Sequence, residues 1–181
     1  VIFIGDAHTR IREDYLRILR FFRFNAWYVR GPLDPGGLAA CADLVGGLDA
    51  LSAERVWKEV KKLLGAPDPR PAYEGMEAIE VRSHVLPEMG NHKRLDALMS
   101  LEADLMLPID AMTRVAAALA DQDGAKVLAR RLKLSNEERD RLVAALGDDV
   151  KLTSFMSLRE MRRAIYKLGN EAFRDRVMLA W

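Results

Sequence analysis

Asp14, Arg17, Arg20 and Arg23 recur every three residues along Ile11-Arg12-Glu13-Asp14-Tyr15-Leu16-Arg17-Ile18-Leu19-Arg20-Phe21-Phe22-Arg23-Phe24. A carboxylate and three guanidiniums at that spacing form a set of hydrogen-bonding groups able to read the edge of a nucleobase. An ionised carboxylate only accepts hydrogen bonds, whereas guanidinium is a planar fork of donors that matches phosphates, carboxylates and the nitrogen and oxygen edges of bases. Glu13 and Asp14 are the only acids between Arg10 and Arg30, so at least three of the six arginines from Arg10 to Arg30 lack a local partner. The competing reading is a solvated helix face carrying weak local ion pairs.

The element that carries them reads as one amphipathic helix. Ile11, Tyr15, Ile18, Leu19, Phe22 and Ala26 fall within an arc of roughly 100° and make a core-facing stripe. The four charged residues wind around the polar side, each rotated by about 60° from the last. Gly31-Pro32-Leu33-Asp34-Pro35-Gly36-Gly37 separates this helix from a second at about 35–47, which Gly46-Gly47 ends. A third helix is predicted from Ala53 to Leu64, with Ser52 as N-cap and Glu54 in the first turn, where its charge suits the helix dipole. Three prolines within Gly65-Ala66-Pro67-Asp68-Pro69-Arg70-Pro71 exclude helix and sheet alike and set a predicted domain boundary. Further helices are predicted near 71–82, 92–106, 109–120, 122–132, 135–146, 157–168 and 169–180, Ser135 and Ser157 acting as caps. The expected fold is all-α, a multi-helix array with a first domain over 1–64, a linker over 65–71 and a helical body and tail over 72–181. Only Val1-Ile2-Phe3-Ile4 hints at extended chain.

At 181 residues and 50% hydrophobic content the chain buries a sizeable core, which argues against disorder. Its 28 basic and 27 acidic residues nearly cancel, so global charge does not announce a nucleic-acid partner. Basic residues concentrate at the two ends. Arg159, Arg162, Arg163 and Lys167 form a basic row at helical spacing, read either as a solvated face or as a weak RNA-contact candidate. Cys41 stands alone among small residues and reads as a buried hydrophobe, with no disulfide open to it. His8, His84 and His92 lack ligand spacing. Glu102-x-Asp104, Asp121-x-Asp123 and Asp148-Asp149 read as helix connections. The position where a calcium loop opening at Asp121 needs its bidentate acid is Leu132. Met89, Met99, Met106, Met112, Met156, Met161 and Met178 are expected in the core. No membrane span or signal peptide is visible, which makes the cytoplasm the expected compartment.

Phe3-Ile4-Gly5-Asp6-Ala7, followed by Thr9-Arg10 and the string Ile11 to Phe24, resembles the neck of the bacterial class II tRNA nucleotidyltransferase and poly(A) polymerase family. Leu51-Ser52-Ala53-Glu54-Arg55-Val56-Trp57-Lys58-Glu59 is similar to that family's next neck motif and stands at the expected distance downstream. The resemblance implies a protein template in which Asp14 and Arg17 pair with incoming CTP or ATP. Arg20 and Arg23 match further nucleotide-binding positions, Glu13 supports the template, and Glu54 and Arg55 brace its helix. It also implies tRNA as partner, with body and tail reaching the acceptor stem or elbow. Magnesium (Mg2+) would be held by an Asp-x-Asp pair in a catalytic head upstream of Val1. On this reading the chain is a neck, body and tail fragment with no catalytic or metal-binding residues of its own, inactive alone. Asn25, His8 and the extended connection at 29–37 depart from the family pattern. They leave open whether the whole protein adds CCA, adds only C or A, or makes poly(A). A helical RNA-binding module without a nucleotide pocket is the alternative from a different class.

Overall fold

The computed structural model describes residues 1–180, and every regular element among them is helical. The chain forms two compact units, Val1–Pro87 and the residues from Glu88 onward.

In the first unit the Asp6 carboxylate accepts the Thr9 N–H at 2.7 Å and opens α1 (Ala7–Glu13). The predicted continuous helix over 11–24 does not form. Asp14 is extended (φ −159°, ψ 105°), and α2 (Leu16–Tyr28) starts afresh beyond Tyr15. The cause is local competition: the Asp14 carboxylate accepts the Leu16 N–H at 3.1 Å, and its carbonyl accepts from Arg17 at 3.0 Å, so Asp14 serves the new helix as a cap. Most of the expected stripe is in the core, with Ile11, Ile18, Leu19 and Phe22 buried and Tyr15 and Ala26 partly exposed. Each fully buried aliphatic or aromatic side chain of this kind contributes about 1.5–3 kcal/mol of transfer free energy.

Pro35 begins α3 (Pro35–Asp43), whose Asp34 cap accepts the Gly37 N–H, and a 3-10 turn over Val45–Ala50 follows. The second helix is thus shorter than its predicted span. Ser52 precedes α4 (Ala53–Leu64) at the N-cap position without a side-chain capping bond. The proline-rich stretch 65–71 lies inside the first unit. Ala66 is buried, and α5 (Arg70–Ala78) packs on α2. The units part at 87/88, within the Leu86-Pro87-Glu88-Met89 bend, instead of at 65–71. Glu80 takes a left-handed conformation (φ 61°) and separates α5 from α6 (Val81–Val85), where one helix over 71–82 was expected. Val1–Ile4 form no strand, although Phe3 stacks on Phe21 with ring centroids 5.5 Å apart.

The second unit follows its predicted helices closely: α7 (His92–Asp104), α8 (Ala111–Ala118), α9 (Gln122–Arg131), α10 (Asn136–Ala145), α11 (Leu158–Leu168) and α12 (Asn170–Ala180). Ser135 and Ser157 each close a reciprocal capping box, with Glu138 and Glu160 respectively. Gly169 ends α11 at φ 79° and lets α12 fold back onto it. Polar side chains hold this unit together. Arg114 and Glu102 form an ion pair buried at both ends, which places Glu102 inside α7 instead of in the expected helix connection. Buried Asp175 on α12 accepts from Thr113 at 2.9 Å and from Arg141 at 2.8 Å, tying α12 to α8 and α10. Arg94 donates to the carbonyls of Ala116, Ala117 and Leu119 and so satisfies the end of α8. Asp121 caps α9, which accounts for it without a cation. Met89, Met99 and Met112 are buried as expected, and Met156 and Met178 are half-buried, but Met106 is 90% exposed in a left-handed turn and Met161 lies at the surface. Burial raises the Cys41 thiol to about 12.

The α1–α2 break depends on a close approach. A Cβ at Gly47 would sit 2.0 Å from ring carbons of Tyr15, whereas one at Gly46 would meet nothing within 4 Å. Gly47→Ala is expected to lower folding stability by about 1–3 kcal/mol in urea titrations, with Gly46→Ala nearly neutral. Equal effects would mean that the Tyr15 contact is unimportant.

Candidate nucleotide site

Arg17, Arg20 and Arg23 keep their oblique row on α2, and Asp14 stands before it at the break. The side chains of Asp14 and Arg17 do not bond to each other. The second oxygen of Asp14 accepts Nη2 of Arg55 at 2.7 Å, an ion pair that joins the break to the start of α4. Arg17 donates Nη1 to Glu13 and to the Arg10 carbonyl. Hydrogen bonds from Arg17, and then from Arg10, hold the Glu13 carboxyl below its usual range, so it stays ionised. Arg55 and Glu13 therefore restrain the two groups that the sequence singled out, and both groups remain about a quarter exposed.

Arg20 and Arg23 have a partner that sequence reasoning missed. Glu59, nearly buried on α4, accepts Nε of Arg23 at 2.5 Å and lies 3.5 Å from Nε of Arg20. The signal was present: Glu59 falls within the stripe Val56, Trp57, Val60, Leu63 and Leu64, and an acid on a buried face requires a cation. Arg23 also lies 4.1 Å from the centre of the Phe24 ring. Glu54 is exposed in the first turn of α4, as expected of its position.

A cavity of about 230 Å³ is lined by Arg10, Arg17 and Arg20 together with Phe3, Phe21, Phe24, Val1, Ile2 and Ile4. Three guanidiniums beside aromatic rings offer donors for an anion or a base edge and flat apolar faces for stacking. Such sites usually measure about 300–1,000 Å³, so this one has room for part of a nucleotide. Asp14 and Arg23 are not among its lining residues.

The basic row predicted near the C-terminus lies on α11. Arg159, Arg162, Arg163 and Lys167 are all exposed, and Lys167 alone of the four has an acidic partner, Asp149, among the described residues. No group of three or more His, Cys, Asp or Glu side chains among the described residues is placed to hold a metal ion. His8 and His84 bond to Asp43 and Asp49. No helix among the described residues is long and apolar enough to cross a membrane.

Residues 33–92 match the family described as the probable RNA and SrmB-binding site of polymerase A. The human mitochondrial CCA tRNA nucleotidyltransferase 1 is 36% identical over 143 residues, covering 77% of this chain and 32% of the relative. A CCA-adding enzyme of Streptococcus gordonii is 31% identical over 165 residues, covering 88% of this chain and 39% of the relative. The chain belongs to the CCA-adding enzyme family. It spans about a third of the length of the curated CCA-adding relatives that it matches. The fold is also that of a solved CCA-adding enzyme in complex with ATP, with a TM-score of 0.60 over 96% of this chain and 45% of that one, at 16% identity. Within this CCA-adding family chain, the matched segment takes in α3 to α6, and so includes Arg55 and Glu59.

Glu59→Gln removes the charge that faces two guanidiniums. It is expected to lower stability by about 1.5–3 kcal/mol, most of it through the shielded Arg23. A loss below about 0.5 kcal/mol in chemical denaturation would mark the contact as an ordinary surface pair.

Proposed function

We propose that the whole protein adds C and A from CTP and ATP to tRNA 3′ ends, and that this segment selects the base and grips the tRNA. The observation that carries the reading is the restraint of Asp14 by Arg55 and of Arg17 by Glu13, with capacity to spare on both. Asp14 retains lone pairs beyond the two bonds it accepts, and Arg17 retains donors on Nε and Nη2. Cytosine and adenine each present an exocyclic amine beside an accepting ring nitrogen. Uracil and guanine present the reverse order. A fixed acceptor next to a fixed donor thus suits C and A and leaves unpaired groups against U and G, worth about 1–3 kcal/mol for each lost buried bond.

Arg20, turned toward the same cavity as Arg17, is assigned to phosphate or base contacts, and Arg23 keeps α2 and α4 in register through Glu59. Arg159, Arg162, Arg163 and Lys167 are assigned to the tRNA. Magnesium-dependent nucleotidyl transfer, with pyrophosphate leaving, belongs to a part of the protein outside this chain, and the cytoplasm or an organelle matrix would each suit such an enzyme.

In the full-length protein, Asp14→Ala or Arg17→Ala is expected to relax the choice among the four triphosphates, lowering CTP and ATP preference about 5- to 100-fold. Unchanged preference would remove the template role. The 181-residue chain supplied with magnesium, CTP, ATP and tRNA is expected to add no nucleotide. Addition by the chain alone would place the metal-holding carboxylates within it.

A further inference from the structure

The outward face of α11 carries more than charge. At about 100° per residue, Arg159, Arg162, Tyr166 and Arg163 fall within a single arc of roughly 100°, with the tyrosine in the middle. Tyr166 is 92% exposed, the most exposed large hydrophobic side chain described. It makes no ring stacking, cation–π contact or hydrogen bond among the described residues, and the three arginines have no acidic partner there. Glu160, the one acid on the helix, is turned back to close the capping box with Ser157.

The opposite side of the helix is already used. Ala164 is buried, Ile165 and Leu168 are half-buried, and α11 packs on α12 through that side. The tyrosine is therefore not a core residue left uncovered by poor packing. It is an aromatic plate set among three guanidiniums on a helix anchored from behind.

We propose that this face binds unpaired nucleotides of an RNA, with a base stacked on Tyr166 and the flanking phosphates on Arg159, Arg162 and Arg163. The group that complements the face must be flat, apolar on its faces and anionic at its edge, and a nucleotide meets all three requirements. A duplex keeps its bases stacked on each other and offers only backbone to such a plate. A lipid surface would need a broad apolar face, whereas three of the four side chains on this arc are guanidiniums. The proposal rests on the tRNA-binding reading above and narrows it to unpaired RNA at a named residue.

The test uses the whole chain with two fluorescent probes, a short unpaired RNA oligonucleotide and an RNA duplex of equal length, titrated at several salt concentrations. Tyr166→Ala is expected to weaken binding of the unpaired probe about 5- to 100-fold, to leave the duplex within about two-fold, and to leave the salt slope unchanged. Tyr166→Phe, which keeps the ring, is expected to bind like the parent. Arg162→Ala and Arg163→Ala are expected to weaken both probes and each to reduce the salt slope by about one. If Tyr166→Ala binds the unpaired probe normally while the arginine variants lose affinity, stacking is wrong and RNA binding by the face stands. If the parent chain binds neither probe nor a tRNA transcript, the tRNA-binding reading itself fails. Binding to anionic vesicles that Tyr166→Ala abolishes, with no RNA affinity, would assign the face to a lipid surface and overturn the proposal.

Discussion

The first unit is organised by the interruption of a helix at Asp14. The residue leaves helical geometry, its carboxylate takes up the first free N–H of the following helix, and its other oxygen is held by Arg55. A single rod through residues 7–28 would carry every side chain before the break to another angular position. With the break, α1 packs on α3 while α2 packs on α4 and α5, and Tyr15 at the junction fits over a glycine that admits no side chain. One carboxylate thereby links the start of α2 to the start of α4.

The arginines of α2 are organised by the same logic. A guanidinium placed near a core must be met by an acceptor, and the acceptors come from different places: Glu13 from the preceding turn for Arg17, and Glu59 from α4 for Arg20 and Arg23. Local pairing keeps Arg17 at the cavity with donors to spare. Long-range pairing makes Arg23 a fastener between helices, so two residues of the same type and spacing have different duties. The second unit repeats this use of buried charge in its interior, where Arg114–Glu102 joins the consecutive helices α8 and α7 and the Asp175 cluster connects helices far apart in sequence. On α11, Arg159, Arg162 and Arg163 face outward with no acidic partner among the described residues, whereas Lys167 pairs with Asp149.

Where sequence carried strong local signals, the helices were legible. Ser135 and Ser157 marked two helix starts, and the apolar period placed α4 at its observed bounds. The break at Asp14 was not legible, because no glycine or proline stands there and Tyr15, Ile18 and Leu19 continue the apolar period. Domain division failed for a related reason. Prolines at 67, 69 and 71 exclude helix locally, but they turn the chain within a unit whose core already includes Ala66 and Ala72. The family motif located Asp14, Arg17 and Arg55 before any geometry was known. Their partners were a different matter, since Glu59 becomes visible only when an acid on an apolar stripe is asked what neutralises it.

The central claim is that Arg55 serves nucleotide choice by holding the Asp14 carboxylate. A double-mutant cycle on CTP-over-UTP discrimination in the full-length protein, with Asp14→Asn and Arg55→Gln singly and together, tests it directly. The account predicts that each single change lowers discrimination and that the double variant is no worse than Asp14→Asn alone. Full discrimination in Arg55→Gln, or two losses that simply add, would contradict it.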